Sequence, residues 1–327
     1  MKPILLLLLM TFAGSAYGAS QADSTWIRAF DKDNNIQVYT GYNNTQFTLT
    51  QAAKQHIPGM KLYANSAAYA GVCLNYKYLS LSYDWTLPNT RLSGKNKGIK
   101  VVNYQLAQVG RRLGIEAFYQ RIDGLLMQIQ RRKHKFDPVP NVTYTKAGAN
   151  LLLFTNPAHY SYNAANYFSK WQQKTAGTGV VMLTPSYQQF HFHQDNTLPG
   201  KDSMLHKNFQ EQPQWLTCIA YAGYTVNVIS RDKHWSINPM LLAGAGAQYT
   251  LNSNFRQLEH ITSFVQSIQC RLNAGYTCSD FFAAVNARYD YANSHLPVST
   301  LHAINGDYAL TFGYRFHSVK RKLLGVL

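Results

Sequence analysis

Beyond its first residues the chain lacks any long apolar run. No later segment carries about 18 uninterrupted apolar residues, which excludes a spanning helix. Acid is scarce: 15 Asp and Glu stand against 31 Lys and Arg, a formal net charge of +16. That balance predicts attraction to anions. Cysteine is scarce too. Cys73, Cys218, Cys270 and Cys278 match no CxxC or zinc spacing, so free thiols, buried or facing lipid, are expected over a disulfide framework. No nucleotide-binding glycine pattern and no G-x-S-x-G elbow occurs.

What is present begins with an export signal. Lys2 supplies the basic start, residues 4–10 the apolar core, and Ala16-Tyr17-Gly18 a small-x-small site, predicting cleavage after Gly18. No Cys follows it, so no lipoprotein anchor is expected. Mean hydropathy is only -0.26, and aromatics reach 13 %, led by 23 Tyr. An exported chain that enters a membrane without a spanning helix has one other way to satisfy its backbone in lipid, a closed barrel. Lipid-facing and lumen-facing residues then cancel in the average.

Period-two alternation supports the barrel. Leu79, Leu81, Tyr83, Trp85 and Leu87 alternate with Ser80, Ser82, Asp84 and Thr86. Trp235, Ile237, Pro239, Leu241, Ala243, Ala245, Ala247 and Tyr249 form a second apolar row, aromatic at both ends. Phe281 to Tyr289, Tyr308 to Phe316, Leu113 to Tyr119 and Ile268 to Tyr276 behave alike, which puts Cys270 and Cys278 on one lipid-side face. Twelve strands are predicted, near 36–49, 66–75, 77–87, 99–108, 112–124, 147–156, 176–192, 215–229, 234–250, 264–277, 280–291 and 305–316, with ten or fourteen as alternatives. Short links near Tyr76, Gly110, Asp232 and Ser279 alternate with long ones at 88–98, 125–146, 193–214, 251–263 and 292–304, as periplasmic turns and outer loops do. Residues 19–35 are then a periplasmic N-terminal segment, 36–316 the barrel and 317–327 a basic tail.

One link breaks the rule. Residues 157–175 should form a short periplasmic turn and are long. Either they fold into or under the barrel mouth, or the strand count is wrong there. In the same place Asn156-Pro157-Ala158-His159-Tyr160-Ser161-Tyr162-Asn163-Ala164-Ala165, followed by Gln172-Gln173-Lys174-Thr175-Ala176-Gly177, resembles a family of Bacteroidota cell-envelope proteins called domain of unknown function 4421. Thr175 and Thr178 replace two serines of its pattern, and residues 168–171 match less well. Residues 74–82 are similar to the family's first hairpin. The resemblance implies an outer-membrane barrel and assigns no activity.

Several constellations are candidates for function. The family-like segment, with Tyr167 and Lys170 added, is the leading one, as a plug or as an ordinary turn. His159 and Ser161 invite a hydrolase reading but lack a third partner in the sequence. His191, His193 and His206 could reach a metal together. Arg131, Arg132, Lys133 and Lys135 form a basic outer loop suited to lipopolysaccharide phosphate or an anionic glycan. Asp84, Arg112, Glu116, Arg271, Arg288, Asp290, Asp307 and Arg315 fall on lumen-facing registers, where they either pair and fill the barrel or set the selectivity of a pore. The expected role is a non-enzymatic channel or envelope component, with no cofactor. A lipid- or glycan-acting enzyme and a surface-binding barrel are the alternatives. Outer-membrane lipid, lipopolysaccharide and the assembly machinery are the expected partners, and nucleic acid is not.

Overall fold

The computed structural model describes residues 25–51, 60–64, 68–76, 79–90, 100–129, 137–192, 214–251, 262–295 and 299–317. In chain order its strands are β1 (Ile27–Ala29), β2 (Asn34–Gln51), β3 (Met60–Ala64), β4 (Ala68–Tyr76), β5 (Leu79–Thr86), β6 (Lys100–Val109), β7 (Leu113–Ile129), β8 (Asp137–Phe154), β9 (Lys170–Gln172), β10 (Ala176–Phe192), β11 (Gln214–Ile229), β12 (Trp235–Leu251), β13 (Thr262–Thr277), β14 (Phe281–His295) and β15 (Ser299–Phe316). A short helix, α1 (Tyr162–Asn166), lies between β8 and β9.

Neighbouring strands pair antiparallel from β4 through β8 and from β10 through β15; β8 pairs with β10, and β2 joins β15 to β4. The result is a closed twelve-strand barrel. Closure leaves no unpaired edge, so the wall can sit in hydrocarbon. The predicted registers hold: Leu81, Tyr83, Trp235, Ile237, Leu241, Val285, Leu310 and Phe312 are exposed on the outer wall. A continuous apolar exterior of this kind is unstable in water and stable in lipid. All four cysteines are free. Cys278 lies past the end of β13, in the turn before β14, and not on the strand face with Cys270.

The barrel changes section along its axis. Near its upper end β2 exchanges β4 for β3, and β7 exchanges β6 for β3. There β3 replaces β4, β5 and β6, so the ring narrows from twelve strands to ten. A bulge between Asp123 and Leu125 marks the exchange on β7. Gly124 occupies it with φ 81°, a conformation glycine adopts without strain.

The narrowed part is filled. Phe47, Leu62, Ile122, Leu125, Met127, Val142, Tyr144, Phe190, Trp215 and Leu301 form one buried apolar cluster. Fewer strands give a smaller diameter, which side chains can close. This lid corrects two loop assignments. Residues 125–146 and 292–304 are mostly strand, because β7 runs to Ile129, β8 starts at Asp137, and only 296–298 separate β14 from β15. Leu125, Met127, Val142 and Leu301 pack into the lid and have no reason to face solvent. The short turns, both ends of the barrel chain and residues 155–175 lie at the opposite end, which by the loop rule faces the periplasm.

Candidate functional site

The segment after β8 enters the barrel. Asn156 starts it by fastening to the start of β10: its backbone N–H donates to Thr178 Oγ1 at 2.9 Å and its Nδ2 to the Gly177 carbonyl at 2.9 Å. After the turn at 157–159, Ser161 caps α1, its Oγ accepting from the Ala164 amide at 3.2 Å. Tyr160, Tyr162 and Ala165 are buried against Leu152, Phe154, Val180, Met182 and Met240 of the lumen wall, and Ala164 is buried beside them in α1. The segment is a plug, and the twelve-strand count stands.

At its tip the plug meets a buried charge network. Tyr162 Oη and Tyr167 Oη donate to Glu116 Oε1 at 2.8 and 2.7 Å. Asn150 Nδ2 donates to the other oxygen at 3.2 Å. Arg271 Nη1 donates to Tyr162 Oη at 2.7 Å and stands 3.7 Å from Glu116. Burial holds the Tyr162 and Tyr167 phenols above their ordinary range, so both stay protonated as donors. Asn273 Nδ2 adds a bond to Asn166 Oδ1 at 2.7 Å, and Asn163 Nδ2 one to the Val109 carbonyl at 2.7 Å.

A strap holds the plug from below. β1 pairs with β9, residues Ile27, Arg28 and Ala29 opposite Gln172, Trp171 and Lys170. Phe30 stacks on Trp171 at 5.4 Å. Arg315, 1 % exposed, pairs with no acid among the described residues. It donates to the carbonyls of Cys278, Phe281 and Phe168 and to Thr277 Oγ1, and lies 3.7 Å over the Phe30 ring. Phe168 carries φ 52°, a left-handed backbone costing about 1 kcal/mol, which Arg315 fixes by its carbonyl. Lys32 reaches Asp280 at 2.6 Å, and this contact holds the Asp280 carboxyl below its ordinary range. A depressed carboxylate contributes above its unfolded value, about 3.9, and the contribution is lost as pH falls through the folded value. Residues 25–33 are therefore expected to become more protease-sensitive as pH drops below about 4, and Asp280→Asn should remove that step. A strap equally protected in the wild type at low pH would contradict it.

The lumen is not filled all the way round. Between β2, β4–β8 and β13–β15 a cavity of about 330 Å³ is lined by Tyr39, Tyr69, Asp84, Asn103, Lys146, Arg271, Arg288, Asp290 and Asp307. Tyr39 Oη donates to Asp84 at 2.6 Å, and Asn103 Nδ2 to its other oxygen at 3.0 Å. Tyr69 Oη donates to Asp307 at 2.8 Å, and Asn43 Nδ2 at 3.3 Å. Both rings lie against glycine: a Cβ on Gly71 would meet Tyr39 at 2.3 Å, and one on Gly41 would meet the Tyr69 hydroxyl at 2.6 Å. Arg288 pairs with Asp290 at 2.7 Å.

A second cavity of about 370 Å³ lies below, between the plug and the β4–β6 wall, lined by Asp33, Asn75, Ser80, Val109, Asn163, Ser169 and Lys170. Burial and the Arg111 cation hold the Lys170 ammonium below the usual lysine range, while Asp33 opposes them. Ser80 borders both cavities. Between them stands a cluster of amides: Gln37 Nε2 and Asn75 Nδ2 donate to Asn35 Oδ1 at 3.0 and 2.7 Å, and Ser80 Oγ donates to Asn75.

The family model described as Domain of unknown function (DUF4421) matches residues 21–316. The chain belongs to that family. None of the curated proteins compared with it matches. Among solved structures it is similar to the outer membrane protease OmpT from Escherichia coli, at 9 % identity and TM-score 0.38, covering 92 % of this chain and 100 % of that one. It is also similar to the beta domain of the Bordetella autotransporter BrkA, at 10 % identity and TM-score 0.44, covering 85 % and 100 %. A third is the translocator domain of the autotransporter NalP from Neisseria meningitidis, at 12 % identity and TM-score 0.37, covering 96 % and 95 %. Likenesses this distant carry no activity across.

Family-like positions of the sequence are the parts of the plug. Gln173 takes its backbone bond to the Trp26 carbonyl at 2.8 Å, Lys174 Nζ lies 5.1 Å over the Trp26 ring, and Ala176 and Gly177 open β10. Of the lumen charges, Asp84, Glu116, Arg271, Arg288, Asp290 and Asp307 border the upper cavity. Arg112 does not: β7 starts one residue later, so it stands exposed in the periplasmic turn. Arg315 faces inward below the plug. The His159 ring lies 4.4 Å from Trp26 and Ser161 is the helix cap, so each serves the plug. His191 is described near the top of β10, whereas His193, His206, Arg131, Arg132, Lys133 and Lys135 lie outside the described residues. Lys146, which sequence reasoning placed in a loop, faces the lumen because β8 begins earlier. Tyr39 and Tyr69 were missed as well, since tyrosine in a strand reads first as a lipid-interface residue.

Proposed function

We propose that the chain is exported to the outer membrane of a Gram-negative cell and there conducts small polar solutes, without chemistry, along the lane between the plug and the β4–β6 wall. The observation that carries this is the pair of unfilled, polar cavities that share Ser80, set beside the packed apolar clusters of the lid and the plug. A barrel serving only as a scaffold gains by filling its interior, since unfilled space forfeits packing. Here one sector keeps charged and amide side chains around empty volume. The conformation described is closed, by the plug at one end and the apolar lid at the other. Opening then requires the plug tip and the lid to move, while the wall stays paired. Outer-membrane lipid and lipopolysaccharide surround the wall, and the assembly machinery of that membrane inserts it.

Planar-bilayer recording of the purified full-length protein tests the reading. Rare, brief unitary steps are expected from the wild type. Absence of current both there and in a variant with plug and lid weakened together would overturn it.

A further inference from the structure

We propose that the upper lumen cavity binds a short zwitterionic peptide of two or three residues; the inference rests on the conduction reading and names the solute class for it. The cavity has an acidic end and a basic end that do not neutralise each other. At the acidic end Asp84 and Asp307 accept only from neutral donors, Tyr39, Asn103, Tyr69 and Asn43. No cation stands within ion-pair distance of either among the described residues. Buried carboxylates without a cation are costly, and an ammonium group supplies the missing charge. The faces of Tyr39 and Tyr69 beside them favour the same group.

At the other end is Arg271, whose side chain is only 9 % exposed. It uses Nη1 on Tyr162 and Glu116, while Nε and Nη2 have no partner among the described residues. Both atoms are closed to solvent as the side chain stands, so a carboxylate in the cavity that Arg271 lines takes them by a turn of the guanidinium toward it. Their fork suits a carboxylate. Arg288, between the two ends, is already paired with Asp290.

The register sets the length of the ligand. Arg271 stands opposite Arg288, and Arg288 opposite Asp307. The backbone positions that carry the basic and acidic ends are thus two strands apart, about 10 Å at roughly 4.8 Å per strand. An extended chain advances about 3.3–3.6 Å per residue, so the termini of two or three residues span that gap. A single amino acid carries both charges on one carbon and reaches one end only. A volume of about 330 Å³ is at the lower bound of small-ligand sites, roughly 300 Å³.

The test is calorimetric titration of the full-length protein in detergent with tri-alanine, N-acetyl-tri-alanine and tri-alanine amide. Saturable binding of tri-alanine is expected, weakened about tenfold or more by either cap. Asp307→Asn should weaken tri-alanine and leave the N-acetyl form unchanged; Arg271→Gln should do the same with respect to the amide. The capped peptides probe the wild type, so the result stands even where a variant fails to fold. Equal binding of capped and free peptides, or no binding, overturns the inference. If bilayer currents persist in that case, conduction survives it; binding without currents removes conduction and leaves the peptide site.

Discussion

Replacing Glu116 by alanine is expected to unseat the plug. The substitution strips the acceptor from Tyr162, Tyr167 and Asn150 at once. It also leaves Arg271 buried with its nearest carboxylate gone. Removing one member of a buried ion pair costs about 3 kcal/mol or more, because the surviving charge stays desolvated. The hydroxyls of Tyr162 and Tyr167 lose their acceptor in the same step, so the loss should fall on the plug and not on the wall. The strand pairing of β7 with β6 and β8 uses backbone groups only and is untouched. Protease cleavage within residues 155–175 should therefore rise by roughly a hundredfold, the equivalent of about 3 kcal/mol. Heat-modifiable gel mobility, which reports the barrel, should change little. Glu116→Gln keeps one acceptor and should fall between the two. A plug equally resistant in Glu116→Ala would show that α1 and the β1–β9 strap hold it without the charge network.

The contrast between wall and interior explains what the sequence discloses. Lipid imposes one rule on the outer face, so rows such as Leu79–Leu87, Trp235–Tyr249 and Tyr308–Phe316 declare both strand and register. The lumen obeys no such rule. Its side chains are polar around Asp84 and Asp307, apolar around Leu125, Met127 and Val142, and the apolar ones erase the alternation. Strands that enter the lid therefore read as loop, as the first ten residues of β8 did, and Lys146 was lost with them. β3 spans only Met60–Ala64, too short for any periodicity, yet it sets the narrowing from twelve strands to ten. The plug was visible as a violation: a long connection where parity demands a short one. Its partners were not, because Glu116 and Arg271 lie 155 residues apart and nothing local links them. Arg315 shows the limit most clearly. Its charge placed it on an inward register, but carbonyls hold it, and carbonyls leave no trace in a sequence.

Because plug and lid close the lane in series, weakening both should do far more than weakening either. Trp215 and Phe47 are central to the lid, both nearly inaccessible, and truncating a buried Phe or Trp to alanine costs about 3–5 kcal/mol. Each closure opened alone still leaves the other shut. If the two move independently, the open probability of the lane is the product of their separate probabilities. A loss of about 3 kcal/mol in one raises that product by roughly a hundredfold, and in both by roughly ten-thousandfold. Bilayer recording of Glu116→Ala, Trp215→Ala and the double variant measures it. Single variants should show sparse openings, and the double variant frequent ones of the same unitary size, since the wall that sets the bore is common to all. The unitary size separates this from general loosening, which would give a spread of currents. Should Trp215→Ala alone reach the activity of the double variant, the plug would not obstruct the lane.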